Sequence, residues 1–447
     1  MKQKSFFECQ ECEHQEPRWL GRCPNCGAWN SFVEGRQEPK GISTIKKTDT
    51  QPVPLSSVEI KEKLFYNTGI AEINRVLGGG VIKGSSILVG GEPGIGKSTL
   101  LLQIAQSIET KGRILYVSGE ESLGQIKLRA QRLNINDPRI EIFCCSQLEL
   151  IMKTIETLKP VVVILDSVQT LCSDEVSSVP GSPSQMKLCC TRLNELAKSR
   201  DLGLFLIGHV TKEGLIAGPK VIEHLVDTVL YFEAAGTEIR VLRSTKNRFA
   251  STDELGLFTM TEKGLDQVSD PASIFLQERE GPMPSGVAVA SVYEGTRVLL
   301  IEIQSLVVPA KGGISRVFSD KIDSRRISRL AAVLEKHVGL PFADTDIYVN
   351  IAGGVKITEV GIDLPILLAL YSAKTGCVLP ENTAVLGEVT LAGEVRRIPQ
   401  LPKRIKAAVD MGYEKVIGPV MGDLDASSAR FYVAVSSVRD VLQLLFK

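Results

Sequence analysis

Large aromatic side chains are scarce in this chain. Phe, Trp and Tyr make up 5% of its 447 residues, and only two are tryptophans. Cores must therefore be built mainly from Val, Ile, Leu and Ala. Net charge is absent too, because 52 Lys and Arg balance 52 Asp and Glu. No global field draws such a chain to nucleic acid or membrane, so binding of that kind must use local patches. No apolar run is long enough for a signal peptide or a membrane span. The sequence predicts a soluble, cytoplasmic protein with no membrane partner. In that compartment its ten cysteines do not suggest disulfides. Apolar residues at 43% and charged residues at 23% exclude a disordered chain. No internal repeat and no low-complexity tract is present.

The length suggests roughly two to four domains, and composition divides them. Residues 1–34 hold four clustered cysteines and both tryptophans. Residues 35–58, rich in Lys, Thr, Gln and Pro, read as a linker. Residues 59–268 alternate short β-rich runs with helical runs, the pattern of an α/β domain with a mainly parallel sheet. Residues 269–286 are turn-rich, with Ser269-Asp270-Pro271 and Gly281-Pro282-Met283-Pro284, and read as a second linker. Residues 287–447 form a second α/β unit.

The clustered cysteines stand as Cys9-x-x-Cys12 and Cys23-x-x-Cys26, ten residues apart. Each pair points two thiolates at one point, and two pairs supply the tetrahedral sulfur set that Zn²⁺ prefers. A segment of ~30 residues cannot bury enough core to fold alone, so the metal must supply folding free energy. Four thiolates leave no open position for catalysis. His14 is not needed as a ligand. Trp19, Trp29 and Phe32 are expected to pack on the knuckles rather than stack on bases. Most of Cys144, Cys145, Cys172, Cys189, Cys190 and Cys377 are expected to be buried apolar groups.

The run Ser86–Val89 reads as a buried strand. It leads into Gly91-Glu92-Pro93-Gly94-Ile95-Gly96-Lys97-Ser98-Thr99, and a helical run follows. This is the phosphate-loop pattern in its required strand–helix setting. Glycines let backbone N–H groups turn inward around phosphate oxygens, and the helix N-terminus adds positive potential. Lys97 can reach the β- and γ-phosphates of ATP, and the Ser98 hydroxyl can complete a Mg²⁺ shell. Val161–Leu165 is a second buried strand, ending in Asp166 at the same crevice, where it suits an outer-shell Mg²⁺ contact or a helix cap. Glu120 and Glu121 follow the strand Ile114–Ser118. One of them, by preference Glu120, can orient the attacking water. His209, ending the strand Leu204–Ile207, suits either a γ-phosphate sensor or a residue satisfied by backbone.

The order of these motifs, with Asp166-Ser167-Val168-Gln169-Thr170 and Lys246-Asn247-Arg248-Phe249-Ala250, resembles the bacterial RadA (Sms) family of DNA-repair proteins over essentially the whole chain. In that family the last motif normally ends in glycine, where this chain has Ala250. The resemblance implies a zinc-ribbon-like module, a RecA-like ATPase core and a Lon-protease-like C-terminal domain. It also implies a homohexameric ring that moves on single-stranded and branched DNA, driven by ATP, in recombination with a RecA-type recombinase. Lys246 and Arg248 would act at the subunit interface and on DNA, within a basic group that includes Arg240 and Arg243. Residues 209–225, with Lys212 and Lys220, fall where RecA-like proteins carry a DNA-binding loop.

The C-terminal unit resembles the Lon proteolytic domain through Gly361–Pro365, Leu386–Val389 and Leu391–Val395. Proteolysis there needs a serine activated by a lysine. Ile366 and Arg404 stand at those positions, and neither can do the chemistry. Two basic clusters, one of Lys311, Arg316, Lys321, Arg325, Arg326 and Arg329, the other of Arg396, Arg397, Lys403, Arg404 and Lys406, suit a DNA surface or ordinary helix faces. The expectation is a DNA-dependent ATPase, and the family resemblance implies DNA helicase activity. The alternatives are an ATP-dependent protease and an ATP-switched DNA-binding scaffold.

Overall fold

A computed structural model describes residues 5–9, 14–16, 18–29, 31–36, 54–57, 64–209, 221–252, 254–272, 274–277, 279, 281–310, 315–319, 321–354, 357–422 and 429–446. Cys12, most of the linker 35–58, Lys212, Lys220 and Lys311 lie outside them. The chain forms two compact units, Met1–Glu62 and Lys63–Lys447. In the first, the strand Ser5–Cys9 lies between Gln15–Glu16 and Phe32–Arg36 in an antiparallel sheet.

The second unit holds a nine-stranded sheet. Its order is Gly264–Gln267, Leu255–Thr261, Ile239–Asn247, Thr228–Ala235, Ser86–Gly91, Gly203–His209, Val162–Asp166, Ile114–Ser118 and Ile140–Cys144. The last six run parallel, and the first three extend the sheet antiparallel. The central parallel strands Ser86–Gly91, Ile114–Ser118 and Val162–Asp166 are buried at every position because both faces are covered. Along Ser86–Gly91, Ile87 and Val89 pack with Leu101 and Ile104 of the helix Lys97–Ser107. Leu88 points the other way, toward Met186 and Leu193 of the helix Pro183–Arg200. Ser182 caps that helix by accepting from Gln185 N–H, and Pro183 occupies its first turn.

A mixed seven-stranded sheet follows, ordered Val317–Phe318, Thr345–Ile351, Arg297–Pro309, Val287–Glu294, Thr383–Val385, Lys415–Pro419 and Tyr432–Val435. Ala288, Ala290 and Val292 face the core with the helices Ser324–Val338 and Asp363–Thr375. Val289 faces the helix Leu401–Asp410 on the other side. This two-residue alternation decides which helix each strand residue meets. The first of these cores also takes in Val241, Leu255 and Leu257 of the nine-stranded sheet. Arg297 reinforces the junction with a two-point ion pair to the buried Glu72.

Three expectations are corrected here. Trp19 and Trp29 are 50% and 71% exposed, and Phe7 and Leu20 pack beside Cys23 instead. Among the six later cysteines only Cys189 and Cys190 are buried, whereas Cys144 and Cys377 are exposed. The basic clusters are not uniformly surface groups. Arg326 is paired with the buried Asp363 and Arg404 with Glu359, both inside the domain, while Arg316 holds Asp346. Arg325, Arg329, Arg396, Arg397, Lys403 and Lys406 are exposed.

Candidate nucleotide site and metal centre

The parallel strands end at one edge of the sheet. Gly91 lies level with His209 and Ser118 with Asp166, so four chain segments bring polar groups together. The phosphate loop crosses this edge into the helix that begins at Lys97. Gly96 has φ 115°, and a Cβ there would come within 2.7 Å of Met260 Cε. The left-handed conformation requires glycine at this point, whereas the flexible Met260 side chain could yield to a Cβ.

The Lys97 ammonium donates to the carbonyls of Gly91 and Glu92, at 2.7 and 2.9 Å. Burial pushes its pKa down to about 8, against the pull of Asp166, Glu120 and Glu92. Ser98 Oγ donates to Asp166 Oδ2 at 2.6 Å, and the Tyr116 hydroxyl donates to the same oxygen at 2.7 Å. Burial first, then the Asp166 charge, holds the Tyr116 hydroxyl well above its ordinary pKa, so it stays a donor. A hydroxyl and a carboxylate oxygen meeting at the start of the phosphate-loop helix fit the hard oxygen donors that Mg²⁺ takes.

The two glutamates differ in their partners. Glu121 receives two hydrogen bonds from the Arg129 guanidinium, at 2.5 and 2.6 Å. Glu120 accepts from Ser167 Oγ at 2.5 Å, and His209 Nε2 lies 3.5 Å from the same carboxylate oxygen. Among the described residues, His209 Nδ1 and Gln169 Oε1 are buried there without a hydrogen-bond partner. Gln169 Nε2 donates to the His209 carbonyl at 3.5 Å. Residue spacing alone missed Tyr116, Ser167 and Arg129. Tyr116 reads as one more apolar strand residue, and the Glu121–Arg129 contact depends on how the strand turns into the helix Leu123–Arg132.

Lys246 and Arg248 are not at this edge. Lys246 lies level with Val229 and so with Leu88, three residues before Gly91, about 10 Å back along the strand. Its ammonium donates to the carbonyls of Glu223, His224 and Val226. Arg248 pairs with the buried Asp227, which also accepts from Ser86 N–H and Oγ. The other two basic residues of the group diverge. Arg240 Nε donates to the Ile95 carbonyl in the phosphate loop, and Arg243 pairs with Glu294. Asn247 Oδ1 accepts from Phe249 and Ala250 N–H, closing the motif into a tight loop.

In the first unit, Cys23 N–H donates to the Ala28 carbonyl and Gly27 N–H to the Cys23 carbonyl, both at 2.9 Å. Cys23 and Cys26 thus share one tight turn, and Cys9 ends the neighbouring strand opposite Phe32. Soft thiol donors on a closed turn fit a zinc knuckle, with Cys9, Cys12, Cys23 and Cys26 as the residues that would hold the metal.

A parallel sheet with a glycine-rich loop, a helix opening on a lysine and an acidic strand end beside it define a RecA-like P-loop ATPase domain. Comparison with known proteins carries this further. The family model described as AAA domain matches residues 51–214, Rubredoxin metal binding domain matches 7–34, and Subunit ChlI of Mg-chelatase matches 320–421. DNA repair protein RadA of Treponema pallidum (strain Nichols) is 49% identical, covering 94% of this chain and 92% of the relative. DNA repair protein RadA of Bacillus subtilis (strain 168) is 44% identical, covering 99% and 98%. That of Streptococcus pyogenes serotype M1 is also 44% identical, covering 100% and 99%. The chain belongs to the RadA family. Among the described residues no helix is long and apolar enough to cross a membrane.

Proposed function

We propose that this chain is a DNA-dependent ATP hydrolase acting in homologous recombination and DNA repair. In this reading it forms a cytoplasmic homohexameric ring, moves on single-stranded and branched DNA as a helicase, and works with a RecA-type recombinase. Residues 59–268 supply the motor and 287–447 a Lon-like domain without protease chemistry. The zinc module, residues 1–34, is held by Zn²⁺.

The observation that carries the reading is the pairing of Glu120 with Ser167 beside His209, on the same sheet edge as Lys97, Ser98 and Asp166. Lys97 meets the β- and γ-phosphates of the ATP substrate, and the loop from Gly91 to Thr99 wraps them with backbone N–H groups. Mg²⁺, when bound, neutralises phosphate charge, and Ser98 and Asp166 are the residues that would hold it. Tyr116 fixes the Asp166 carboxylate. Glu120 orients the attacking water, Ser167 holds its carboxylate, and His209 senses the γ-phosphate. Lys246 and Arg248 serve the next subunit's site.

The test measures ATP turnover against added single-stranded DNA, with sedimentation of the same sample. Turnover that rises with DNA in a species of about six chains supports the motor. Turnover indifferent to DNA leaves the ATP-switched scaffold. ATP-dependent casein degradation would favour the protease, against which stand the buried Ile366 and the paired Arg404.

A further inference from the structure

A tryptophan contributes most when its large apolar surface leaves water. Both tryptophans of this chain lie in the zinc module, and both remain in water. The turn arranges what surrounds them. Arg22 and Trp29 face each other in an antiparallel bridge. The Arg22 guanidinium stands 5.6 Å from the centroid of the Trp29 ring, and its Nε donates to the Gly27 carbonyl at 3.2 Å. Trp29 is nonetheless 71% exposed, so this contact leaves most of the ring open. Trp19 lies along the backbone of Gly21, where a Cβ would stand 3.7 Å from the ring. Arg18 and Arg22 are exposed, and no carboxylate occurs from Arg18 to Trp29. Open indoles and guanidiniums within the short segment from Arg18 to Trp29, without an acid in it, match the chemistry of unpaired bases on a phosphate chain. Any base stacks on an indole, and arginine meets both phosphate and base faces. A duplex hides its base faces and offers only the phosphates.

We propose that Trp19, Trp29, Arg18 and Arg22 form a single-stranded DNA subsite in the zinc module, separate from the ATPase sheet. Bases stack on the two indoles while the arginines meet the backbone. The subsite rests on the reading that this chain works on DNA, and it adds a contact that holds the strand without regard to nucleotide state.

The chain has only these two tryptophans, so its tryptophan emission reports on this module alone. The experiment titrates the full-length protein with oligo-dT, oligo-rU and a duplex, without nucleotide. Oligo-dT quenches the emission and the duplex does not. Trp29→Ala weakens oligo-dT binding about tenfold, while Trp29→Phe keeps most of it. Zinc content and DNA-free ATP turnover stay unchanged in both. Trp29→Ala leaves the slope of log affinity against log salt unaltered, whereas Arg18→Ala makes it shallower by about 0.7. If Trp29→Ala loses its metal, Trp19→Ala is read in its place, and undiminished affinity there overturns the subsite. An unquenched emission in a protein whose turnover DNA stimulates overturns it and leaves the motor standing. Absence of both effects removes the DNA reading as well. Quenching by oligo-rU alone, or equally by the duplex, also overturns it.

Discussion

The Arg404 guanidinium and the Glu359 carboxylate meet in a two-point ion pair, with contacts of 2.7 and 2.6 Å. The arginine is 2% exposed, and its other donors reach the carbonyls of Ser291 and Pro399. The position where the Lon resemblance would put a catalytic lysine has become structural. Removing one partner of a buried pair leaves an uncompensated charge, at a cost of about 3–5 kcal/mol. Glu359→Ala is therefore expected to lower stability by about that amount, read from urea denaturation. Arg404→Lys is expected to leave casein uncut, because Ile366 still fills the nucleophile's place in the core. Casein cleavage by that variant would contradict the structural role.

The separate partners of Glu120 and Glu121 predict opposite phenotypes. Glu120→Gln keeps the shape of the site and removes the charge proposed to orient water. It is expected to bind ATP normally and to lose turnover by at least about a hundredfold, the usual scale for a catalytic base. Glu121→Gln weakens the contact to Arg129 and is expected to cost about 1–2 kcal/mol of stability with turnover retained. Lys97→Ala abolishes turnover and weakens nucleotide binding together. Parallel measurements of ATP affinity and steady-state rate separate the three. Normal turnover in Glu120→Gln would move the water-orienting role to another acid.

Ala250, the residue that departs from the family glycine, lies directly against Gly78. A Cβ on Gly78 would come 2.1 Å from the Ala250 Cβ, and Gly78 itself has φ 79° at the end of the helix Ala71–Leu77. Ala250 does not have a positive φ, so its own backbone accepts alanine without strain. Gly78→Ala is expected to destabilise by about 2–4 kcal/mol, from the left-handed conformation and the overlap together. In an Ala250→Gly background only the conformational part, about 1 kcal/mol, should remain. A double-mutant cycle on thermal or urea unfolding measures the difference. Strict additivity would mean that the two residues do not share this contact.

What was legible in the sequence was local. The phosphate loop is contiguous from Gly91 to Thr99, and Ile87–Val89 before it and Val161–Leu165 before Asp166 are apolar at every position, as strands covered on both faces must be. The shared hydrogen bonds that join Ser98, Tyr116 and Asp166 span 50 and 68 residues, and no spacing rule announces them. The same gap misled the reading of the basic clusters. Arg326 and Arg404 look like surface charges until Asp363 and Glu359, 37 and 45 residues away, are brought against them. The tryptophans failed in the opposite sense. Hydrophobicity predicts burial only when a core exists to receive it, and Phe7 and Leu20 already occupy that place beside Cys23.

The last prediction concerns Lys246 and Arg248. Within one chain their side chains are bound to the carbonyls of Glu223, His224 and Val226 and to Asp227, away from the strand ends that carry Gly91 and Asp166. Lys246 lies level with Leu88, three residues before Gly91, and its ammonium is turned onto those carbonyls rather than toward its own phosphate loop. A ring offers the shorter route, in which this motif faces the nucleotide of a neighbouring subunit and adds cationic charge to the phosphates. Lys246→Ala and Arg248→Ala are then expected to keep nucleotide affinity, which Lys97 and the loop supply, and to lose DNA-stimulated turnover and strand movement. The discriminating measurement mixes Lys246→Ala chains with Lys97→Ala chains. Each homogeneous ring lacks one half of every site. A mixed ring contains interfaces where an intact Lys97 meets an intact Lys246, so part of the turnover returns in proportion to those interfaces. Full turnover in Lys246→Ala alone, or no recovery in mixtures that co-sediment, would show that the motif does not act across the interface.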